Sequence, residues 1–361
     1  MKPNDSKPQA MVFTKAKGPF QCRVFNFPKL KTGEVLVRID YATICTSDLH
    51  TYCGRRSGPS PCILGHEIIG RIAGLGSSEM VDYSGTPLQE GDRITWTIYA
   101  HDHEGEMARK GFPQKSTGLF KYGHRSIEDN HPLTGGFATH CHLRAGTDIF
   151  RLPDDLANTE AAPLNCTHAT VAGALRLAGN LRGARILVSG GGMLGLSACA
   201  MAHEAGAQQV WLTDPNPNRI EQARSFGIDQ GWLSTDPDRL AEIREAGGVD
   251  ILIETSGQAE AMTFGLSTLN IGARTVWIGA VYTQPDISLQ AEQVVRNLWT
   301  ISGLHNYIPE DLRTAIDFLR KHHRTYPFGE LVGRTFTLDQ LDVAFAVANF
   351  GPYYRVGVQP E

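Results

Sequence analysis

The chain lacks the features that mark membrane, nucleic-acid-binding and disulfide-stabilised proteins. It contains no apolar run of about 18 residues, the length that a spanning helix needs. Its formal net charge is only −4, so the composition implies no nucleic-acid or membrane partner. The seven cysteines are odd in number and widely scattered, which favours reduced thiols or metal ligands over a disulfide framework. The first residues contain no apolar signal core, and we therefore expect a cytoplasmic protein.

Two regions differ in their patterns, and 361 residues are enough for two domains. Residues 11–150 favour β structure, with strands expected at 35–44, 67–74 and 93–98 and a long excursion loop at 100–135. From about 170 to 305, apolar runs alternate with helical stretches, and residues 306–361 return to mixed structure. The alternation predicts six strands of a doubly wound α/β domain, at 185–189, 209–213, 230–233, 250–254, 274–278 and 300–303.

A glycine motif follows the first of these six strands. Gly190, Gly192 and Gly195 supply G-x-G-x-x-G, and an Ala-rich, helix-favouring run comes next. The glycines permit a tight turn, close approach to a pyrophosphate and close helix packing. Asp214 stands about 20 positions later, where an acid binds the adenosine ribose and repels a 2′-phosphate. This context predicts dinucleotide binding, with NAD favoured over NADP; the alternative is a glycine-rich loop without a ligand.

Three clusters before that motif carry potential metal ligands. They are C-T-S-D-L-H (residues 45–50), G-H-E (residues 65–67) and the lone Cys166. Two thiolates and one imidazole, from Cys45, His66 and Cys166, make a zinc site that leaves one coordination position open, as catalysis requires. The alternative is that these are ordinary buried cysteines and a hydrogen-bonded core histidine.

With G-D-R at residues 91–93, these motifs occur in the order found in one family. The chain resembles the zinc-dependent medium-chain dehydrogenase/reductases of the alcohol dehydrogenase superfamily. The resemblance implies a GroES-like β-rich catalytic domain at 1–167 and 306–361. It also implies a Rossmann NAD-binding domain with a six-stranded parallel sheet at 168–305. The implied reaction interconverts an alcohol and an aldehyde or ketone by hydride transfer to or from NAD, in either direction.

The resemblance also implies roles for individual residues. Zinc would be bound by Cys45, His66 and Cys166, and Asp48 would orient His66. The remaining catalytic and cofactor roles follow the same family pattern. Ser47 and His50 would relay protons, Glu67 would lie behind the metal, Asp214, Asn216 and Arg219 would contact the adenosine ribose, Leu194 and Thr170 would flank the nicotinamide, and Arg355 would reach the pyrophosphate.

Many relatives hold a second, structural zinc with four cysteines. In this chain those positions fall on Asp102, Gly105, Ala108 and Ser116, which predicts one zinc per chain and no structural zinc. Nearby histidines and carboxylates leave open a replacement site, the alternative being a solvated polar loop.

Substrate identity is left open between two classes. Arg55 and Arg56 follow the relay residues and could pair with an anionic substrate, or else lie on the surface or contact the cofactor's phosphates. The segments TYCGRR, LFKYGH, GGFATHCHL and SGLHNY resemble a subgroup called phosphonate-catabolism-associated alcohol dehydrogenases. A hydroxyalkylphosphonate is one hypothesis, and a bulky neutral alcohol of the cyclic terpene type is the other.

The alternative to an enzyme is a non-catalytic, crystallin-like protein that binds a nucleotide. The family resemblance also implies a homodimer or homotetramer.

Overall fold

The computed structural model describes residues 7–128 and 131–360, which form two compact units. Unit 1 comprises the described residues within 7–166, 308–323 and 328–360, and unit 2 comprises residues 167–307 and 324–327. Among the described residues, no helix is both long enough and apolar enough to cross a membrane. The assignment of catalytic and cofactor domains to 1–167 with 306–361 and to 168–305 stays a prediction.

The strands of the described residues are numbered in chain order. They are β1 Gln9–Phe13, β2 Gln21–Val24, β3 Val35–Ile44, β4 Cys62–Ile63, β5 Glu67–Leu75, β6 Arg93–Ala100, β7 Phe120–Lys121, β8 His140–Leu143, β9 Thr147–Arg151, β10 Arg185–Ser189, β11 Gln209–Asp214, β12 Gln230–Leu233, β13 Val249–Glu254, β14 Leu269–Trp277, β15 Thr300–Gly303, β16 Val332–Thr337 and β17 Arg355–Gln359.

The α-helices of the described residues are numbered in the same way. They are α1 Thr46–Tyr52, α2 Glu106–Arg109, α3 Asn158–Ala161, α4 Thr167–Ala178, α5 Met193–Glu204, α6 Pro217–Arg224, α7 Arg239–Glu245, α8 Ala259–Ser267, α9 Ala291–Arg296, α10 Pro309–His322 and α11 Leu341–Phe350.

Unit 1 is built on a mostly antiparallel sheet with the order β16-β17-β3-β5-β6-β7, in which β8 also pairs with β3 and β9 with β6. Its central strands β3 and β6 are buried along most of their length, including the polar residues Thr43, Thr95 and Thr97. A smaller sheet has the order β2-β1-β4. The core between these layers contains Trp96, Tyr122 and Phe137, all of them fully buried. This rigid packing fixes the loops and helix ends that carry the site.

Unit 2 is a parallel sheet with the order β12-β11-β10-β13-β14-β15. The order reverses between β10 and β13, where an open α/β sheet has its ligand crevice at the carboxyl ends of the strands. β10 is buried at Ile186, Leu187 and Val188, as its continuous apolar run predicts. The predicted α/β fold with six parallel strands is therefore confirmed for the described residues.

Two details of the prediction need correction. The region 100–135 was expected to be an excursion loop without regular structure, but it contains α2, a 3-10 turn at Pro113–Lys115 and β7. These elements are four residues long or shorter, so they give too little periodicity to be seen in the sequence. The fifth strand was expected at 274–278, but β14 begins earlier, at Leu269, because Leu269 pairs with Val249 across a register shift.

Candidate metal centre and nucleotide-binding loop

Unit 1 brings together the three predicted zinc ligands. The ligand atoms of Cys45, His66 and Cys166 all lie within 4.8 Å of one another. Cys45 lies directly before α1, His66 lies between β4 and β5, and Cys166 ends a 3-10 turn. Cys45 and His66 are buried and Cys166 is partly exposed, so the group opens to solvent on one side. Two thiolates, one imidazole and an open side are the donor set of a catalytic zinc site.

Asp48 holds two of these ligands in place. One carboxylate oxygen, Oδ2, accepts the backbone N–H of Cys45 at 3.0 Å, while Oδ1 accepts that of Gly65 at 3.1 Å. Oδ1 also lies 3.3 Å from Nδ1 of His66, and the Asp48 side chain is fully buried. A carboxylate at Nδ1 fixes the tautomer and ring orientation of a metal-binding histidine, which leaves Nε2 for the ion. The structure thus places Asp48 beside His66, and its orienting role on a bound metal stays a prediction.

The backbone around the ligands is equally constrained. Gly65 has φ +90°, and a Cβ there would meet the backbone of Gly136 at 3.2 Å, so this position before His66 requires glycine. Asn165, next to Cys166, is fully buried. It accepts the N–H of Ile68 at 3.3 Å and donates to the carbonyl of Trp96 at 3.1 Å. Asn165 was not among the predicted site residues, because a single asparagine before a cysteine gives no distinctive sequence signal.

Glu67 lies behind the ligand group in a buried ion pair. Arg355 donates to its carboxylate through Nε at 2.7 Å and through Nη2 at 2.9 Å, and Thr43 donates at 2.6 Å. Nη2 of Arg355 also lies 3.6 Å from Sγ of Cys45. The guanidinium thus neutralises Glu67 and stabilises a thiolate at Cys45. The sequence implied a pyrophosphate contact for Arg355; that role stays a prediction, and the structure gives this residue a place in the metal centre.

The charges around the ligands fit a dication. Burial lowers the pKa of His66, but the Asp48 carboxylate outweighs it and raises the value to about 10. Between the two thiols, the shared hydrogen bond lowers the pKa of Cys45 and raises that of Cys166. The Cys45 thiolate is thus favoured over that of Cys166, and the protonated form of His66 is favoured in the absence of a metal. A metal ion displaces such protons when it binds, because thiolate and neutral imidazole are the ligand forms.

The predicted relay residues lie on α1 next to the ligands. Oγ of Ser47 is 3.2 Å from Nε2 of His66, and His50 follows three residues later on the same helix. Burial lowers the pKa of His50, and the positive charges of Arg55 and Arg56 lower it further. His50 is thus neutral near pH 7 and can accept a proton. The N–H groups of Arg55 and Arg56 donate to the His50 carbonyl at 2.9 and 3.1 Å, which brings both arginines beside the relay.

Lys121, which was not among the predicted site residues, also lies near the relay and the metal ligands. Lys121 lies in β7 and is partly buried, and burial is the largest cause that lowers its pKa to about 8. The charges of Arg56 and Lys115 contribute to this lowering, while Cys166 acts in the opposite direction. The imidazole of His124 lies 5.3 Å from the ring of His66. Lys121 and His124 both belong to the LFKYGH segment, residues 119–124.

In unit 2 the glycine motif forms the turn between β10 and α5. Gly190 has φ +100°, which only glycine adopts readily. A Cβ on Gly195 would collide with the carbonyl oxygen of Gly190. Beside Gly192, at the N-terminus of α5, there is open space. The three glycines therefore have the geometry of a phosphate-binding turn: a tight bend, an open approach to the helix N-terminus and a close helix–strand contact.

Asp214 ends β11 opposite this turn. Its Oδ2 accepts the N–H of Gly191 at 2.7 Å and its Oδ1 accepts that of Asn216 at 2.8 Å. Nη1 of Arg219 lies 3.8 Å from Oδ2. A carboxylate has about four lone-pair sites, so Asp214 keeps acceptor capacity for ribose hydroxyls. Leu194 lies in the first turn of α5 and Thr170 in α4; both are partly exposed, as side chains that contact a cofactor must be.

The loop that lacks cysteines contains a small ligand group of its own. His101, His103 and Asp148 place ligand atoms within 4.8 Å of one another, with Nε2 of His103 3.2 Å from Oδ1 of Asp148. The side chain of His103 is 54% exposed, so water competes at this group. Asp148 lies outside the loop at residues 100–116, where ligands for a replacement metal site were expected.

Comparisons with known proteins agree with this architecture. The family model "Alcohol dehydrogenase GroES-like domain" matches residues 31–154, and "Zinc-binding dehydrogenase" matches residues 194–321. A 5-exo-hydroxycamphor dehydrogenase of Pseudomonas putida is 28% identical over 88% of this chain and 90% of its own. A sorbitol dehydrogenase of Halalkalibacterium halodurans is 26% identical, over 91% and 92%.

Solved structures share the fold. An alcohol dehydrogenase of Thermotoga maritima superposes with a TM-score of 0.93 at 24% identity, covering 99% of this chain and all of that one (100%). A putative zinc-binding dehydrogenase of Sinorhizobium meliloti, bound to NADP, superposes with a TM-score of 0.86 at 21% identity, over 99% and 100%. The two family models and the Cys2His group define the class as a zinc-binding, nicotinamide-dependent dehydrogenase. Within that class, the chain belongs to the zinc-dependent medium-chain alcohol dehydrogenase family.

Proposed function

We propose that this dehydrogenase binds one catalytic zinc at Cys45, His66 and Cys166 and uses NAD to interconvert an alcohol and its aldehyde or ketone. The observation that carries this proposal is the convergence of two sulfur atoms and an imidazole within 4.8 Å, with Asp48 orienting the histidine. Residues 1–167 and 306–361 are the proposed catalytic domain, and residues 168–305 the NAD-binding domain. No cysteine-held structural zinc is part of the proposal, because the four expected positions carry no thiol.

The chain's residues account for the proton transfer. Zinc bound at Cys45, His66 and Cys166 would supply Lewis acidity, which makes an alcohol hydroxyl more acidic. Ser47, beside His66, would take up the alcohol proton as it gives up its own, and His50 would accept a proton and release it to solvent. The positive charge of Arg355, which Glu67 holds in place, favours the thiolate form of Cys45. The nicotinamide supplies the hydride acceptor, while the protein orients the reactants and excludes water.

We infer a preference for NAD over NADP. Asp214 would repel a 2′-phosphate next to the ribose hydroxyls that it binds. Arg219 lies 3.8 Å from Asp214 and is the residue that could instead pair with such a phosphate. This alternative matters because one solved structure with the same fold is bound to NADP. Initial rates with NAD and NADP at matched concentrations test this point. A higher kcat/KM with NADP would contradict it.

We infer that the substrate is an anionic alcohol, with a hydroxyalkylphosphonate as the candidate class. The supporting observation is a group of positive charges, Arg55, Arg56 and Lys121, near the relay histidine and Cys166. Guanidinium and ammonium groups recognise phosphonate oxygens through charge-assisted hydrogen bonds. Changing Arg55 and Arg56 together to Ala should raise KM for a phosphonate alcohol strongly and leave a neutral alcohol unaffected. Equal effects on both substrates would contradict the proposal that Arg55 and Arg56 bind an anionic substrate.

A bulky neutral alcohol is the second candidate, favoured by one specific observation. The 5-exo-hydroxycamphor dehydrogenase of Pseudomonas putida matches along most of this chain, although at only 28% identity. A panel that includes hydroxyalkylphosphonates and cyclic terpene alcohols, run in both directions, separates the two classes. Metal analysis on the same preparations tests the zinc proposal. A metal-free protein that binds NAD without turnover would instead favour a non-catalytic role.

We propose a homodimer or homotetramer whose subunits join through unit 2. β15 is an edge strand of the parallel sheet, and three large apolar side chains near this edge are strongly exposed: Ile271 (75%), Val295 (73%) and Leu298 (71%). Covering such side chains is a common reason for subunit association. Light scattering of the purified chain and of Leu298→Glu tests this, with dissociation expected in the variant and an unchanged mass contradicting it.

A further inference from the structure

We propose that Glu34, His131 and His142 of unit 1 form a second metal site that binds a divalent transition-metal ion such as Zn²⁺. This group is separate from Cys45, His66 and Cys166 and does not depend on the proposed reaction. It adds a second ion to the single zinc that the sequence predicts. Two imidazoles and one carboxylate are a known donor set for zinc and for non-haem iron.

The distances within the group fit one ion. Nε2 of His142 lies 3.1 Å from Oε2 of Glu34, and Nε2 of His131 lies 3.5 Å from Oε1. A tetrahedral ion with bonds of about 2.1 Å separates its ligand atoms by about 3.4 Å. The two imidazole rings stack at 4.5 Å with an interplanar angle of 11°, so that both Nε2 atoms face the same carboxylate. A small rotation of one ring would complete the convergence.

The ligands come from three segments that are already held together. Glu34 precedes β3, and its Oε2 accepts the N–H of Lys31 at 2.9 Å. His142 lies in β8, where it pairs with Leu36 of β3. The N–H of His142 donates to the carbonyl of Leu133 at 2.8 Å, which ties the segment of His131 to the same strand. An ion would therefore join three parts of unit 1 without large rearrangement.

Burial and charge also suit metal binding. The side chains of Glu34 and His142 are only 8% and 5% exposed, and that of His131 is 17% exposed. Burial lowers the pKa of both histidines, which keeps the imidazoles in the neutral form that metals bind. Burial alone would raise the pKa of Glu34, but the Lys31 N–H and His142 lower it overall. The carboxylate is therefore ionised and supplies the negative charge.

Next to the group is a cavity of about 240 Å³, lined by the three ligands together with Asn26, Lys29 and Lys31. It has room for the remaining coordination positions to be filled by water or a small anion. The positive charges of Lys31 and Arg144 act on His131 and oppose a bare cation. We therefore expect Glu34 to be essential and an anion or hydroxide to complete the coordination.

Cobalt loading of the full-length protein tests this proposal, because Co²⁺ bound to thiolates gives an intense charge-transfer band and Co²⁺ bound to histidine and carboxylate does not. Metal-free protein is titrated with Co²⁺, and total binding is compared with the thiolate band. We expect the band to saturate while a further equivalent still binds. In His131→Gln, affinity for that further equivalent should fall by more than about tenfold, since even outer-sphere changes cost about 10- to 100-fold. The thiolate band should be unchanged.

The matched control is His103→Gln, which removes a ligand atom from the more exposed histidine group and should keep the further equivalent. His142→Gln repeats the test from the second ligand, and the retained thiolate band shows that each variant is folded. Zinc should also raise the Tm of the metal-free wild type more than that of His131→Gln. Binding of a single equivalent by the wild type, or equal loading of wild type and His131→Gln, overturns the proposal. Loss of the further equivalent only in His103→Gln overturns it too.

Discussion

Lys121 gives the sharpest test of substrate charge. It is partly buried in β7 beside Arg56, and burial, followed by the Arg56 charge, lowers its pKa to about 8. A hydrogen bond between an ammonium and a substrate anion contributes about 1.5–3 kcal/mol. Lys121→Met should therefore lower kcat/KM for a hydroxyalkylphosphonate by about 10- to 150-fold, since 1.4 kcal/mol corresponds to about tenfold. A neutral alcohol of the same chain length should be little affected.

The pH dependence supplies an independent check. Below a pH of about 8 Lys121 carries its charge, and above it the charge is lost, so recognition of an anion weakens as the pH rises through that value. A bound metal dication near Cys166 would move the step to lower pH. The probe is a hydroxyalkylsulfonate, because its own charge is constant over this range. The wild-type kcat/KM should fall with rising pH more steeply for the sulfonate than for the neutral alcohol.

The controls separate charge from packing. Lys121→Arg keeps the charge and should retain most of the activity with the anionic substrate. Its kcat/KM should not fall near pH 8, because arginine does not titrate there. In Lys121→Met this fall in kcat/KM near pH 8 should also be absent. If Lys121→Met lowers activity with the anion and the neutral alcohol equally, the residue has a structural role and the reasoning about an anion pocket is refuted.

Further predictions concern the metal centre and the nucleotide loop. Dialysis against a chelator should abolish turnover but preserve NAD binding, measured by calorimetry, and activity that survives zinc removal would contradict the metal assignment. Asp214→Asn should lower kcat/KM with NAD by about 10-fold or more and raise the NADP-to-NAD ratio, because a charged acceptor is lost; an unchanged ratio would exclude that role. Gly195→Ala should weaken NAD binding and lower Tm, since its Cβ meets the Gly190 carbonyl; wild-type behaviour would show that the turn can relax. Arg355→Met should cost about 3–5 kcal/mol in denaturant unfolding, because the buried Glu67 carboxylate would lose its cationic partner, and adding Glu67→Leu should recover much of that stability.

The sequence was most informative where local pattern and tertiary structure agree. The apolar run at Arg185–Ser189, the glycines after it and the acid at Asp214 are close in sequence, and a βαβ unit brings them together by short-range geometry. The order of the motifs allowed Cys45, His66 and Cys166 to be grouped before any contact was known. In each case the pattern lies within a segment or follows a family order that one sequence can display.

The residues that were missed depend on contacts between distant segments. Glu34 and His142 are 108 positions apart, and neither has a neighbour that marks it as a ligand. Lys121 looks like an ordinary surface lysine in sequence, and only the fold reveals its burial beside Arg56. The short elements at 100–121 gave no periodic signal because each is four residues long or shorter.

X-ray absorption of zinc-loaded protein can show directly whether two sulfur atoms bind the ion at Cys45, His66 and Cys166. The measurement uses His131→Gln protein, in which less zinc should bind away from the two cysteines. We expect two sulfur neighbours at about 2.3 Å and nitrogen or oxygen neighbours at about 2.0–2.1 Å. Cys166→Ser should remove one of the two sulfur neighbours. A spectrum with only nitrogen and oxygen neighbours, or one that Cys166→Ser leaves unchanged, would contradict the proposed site.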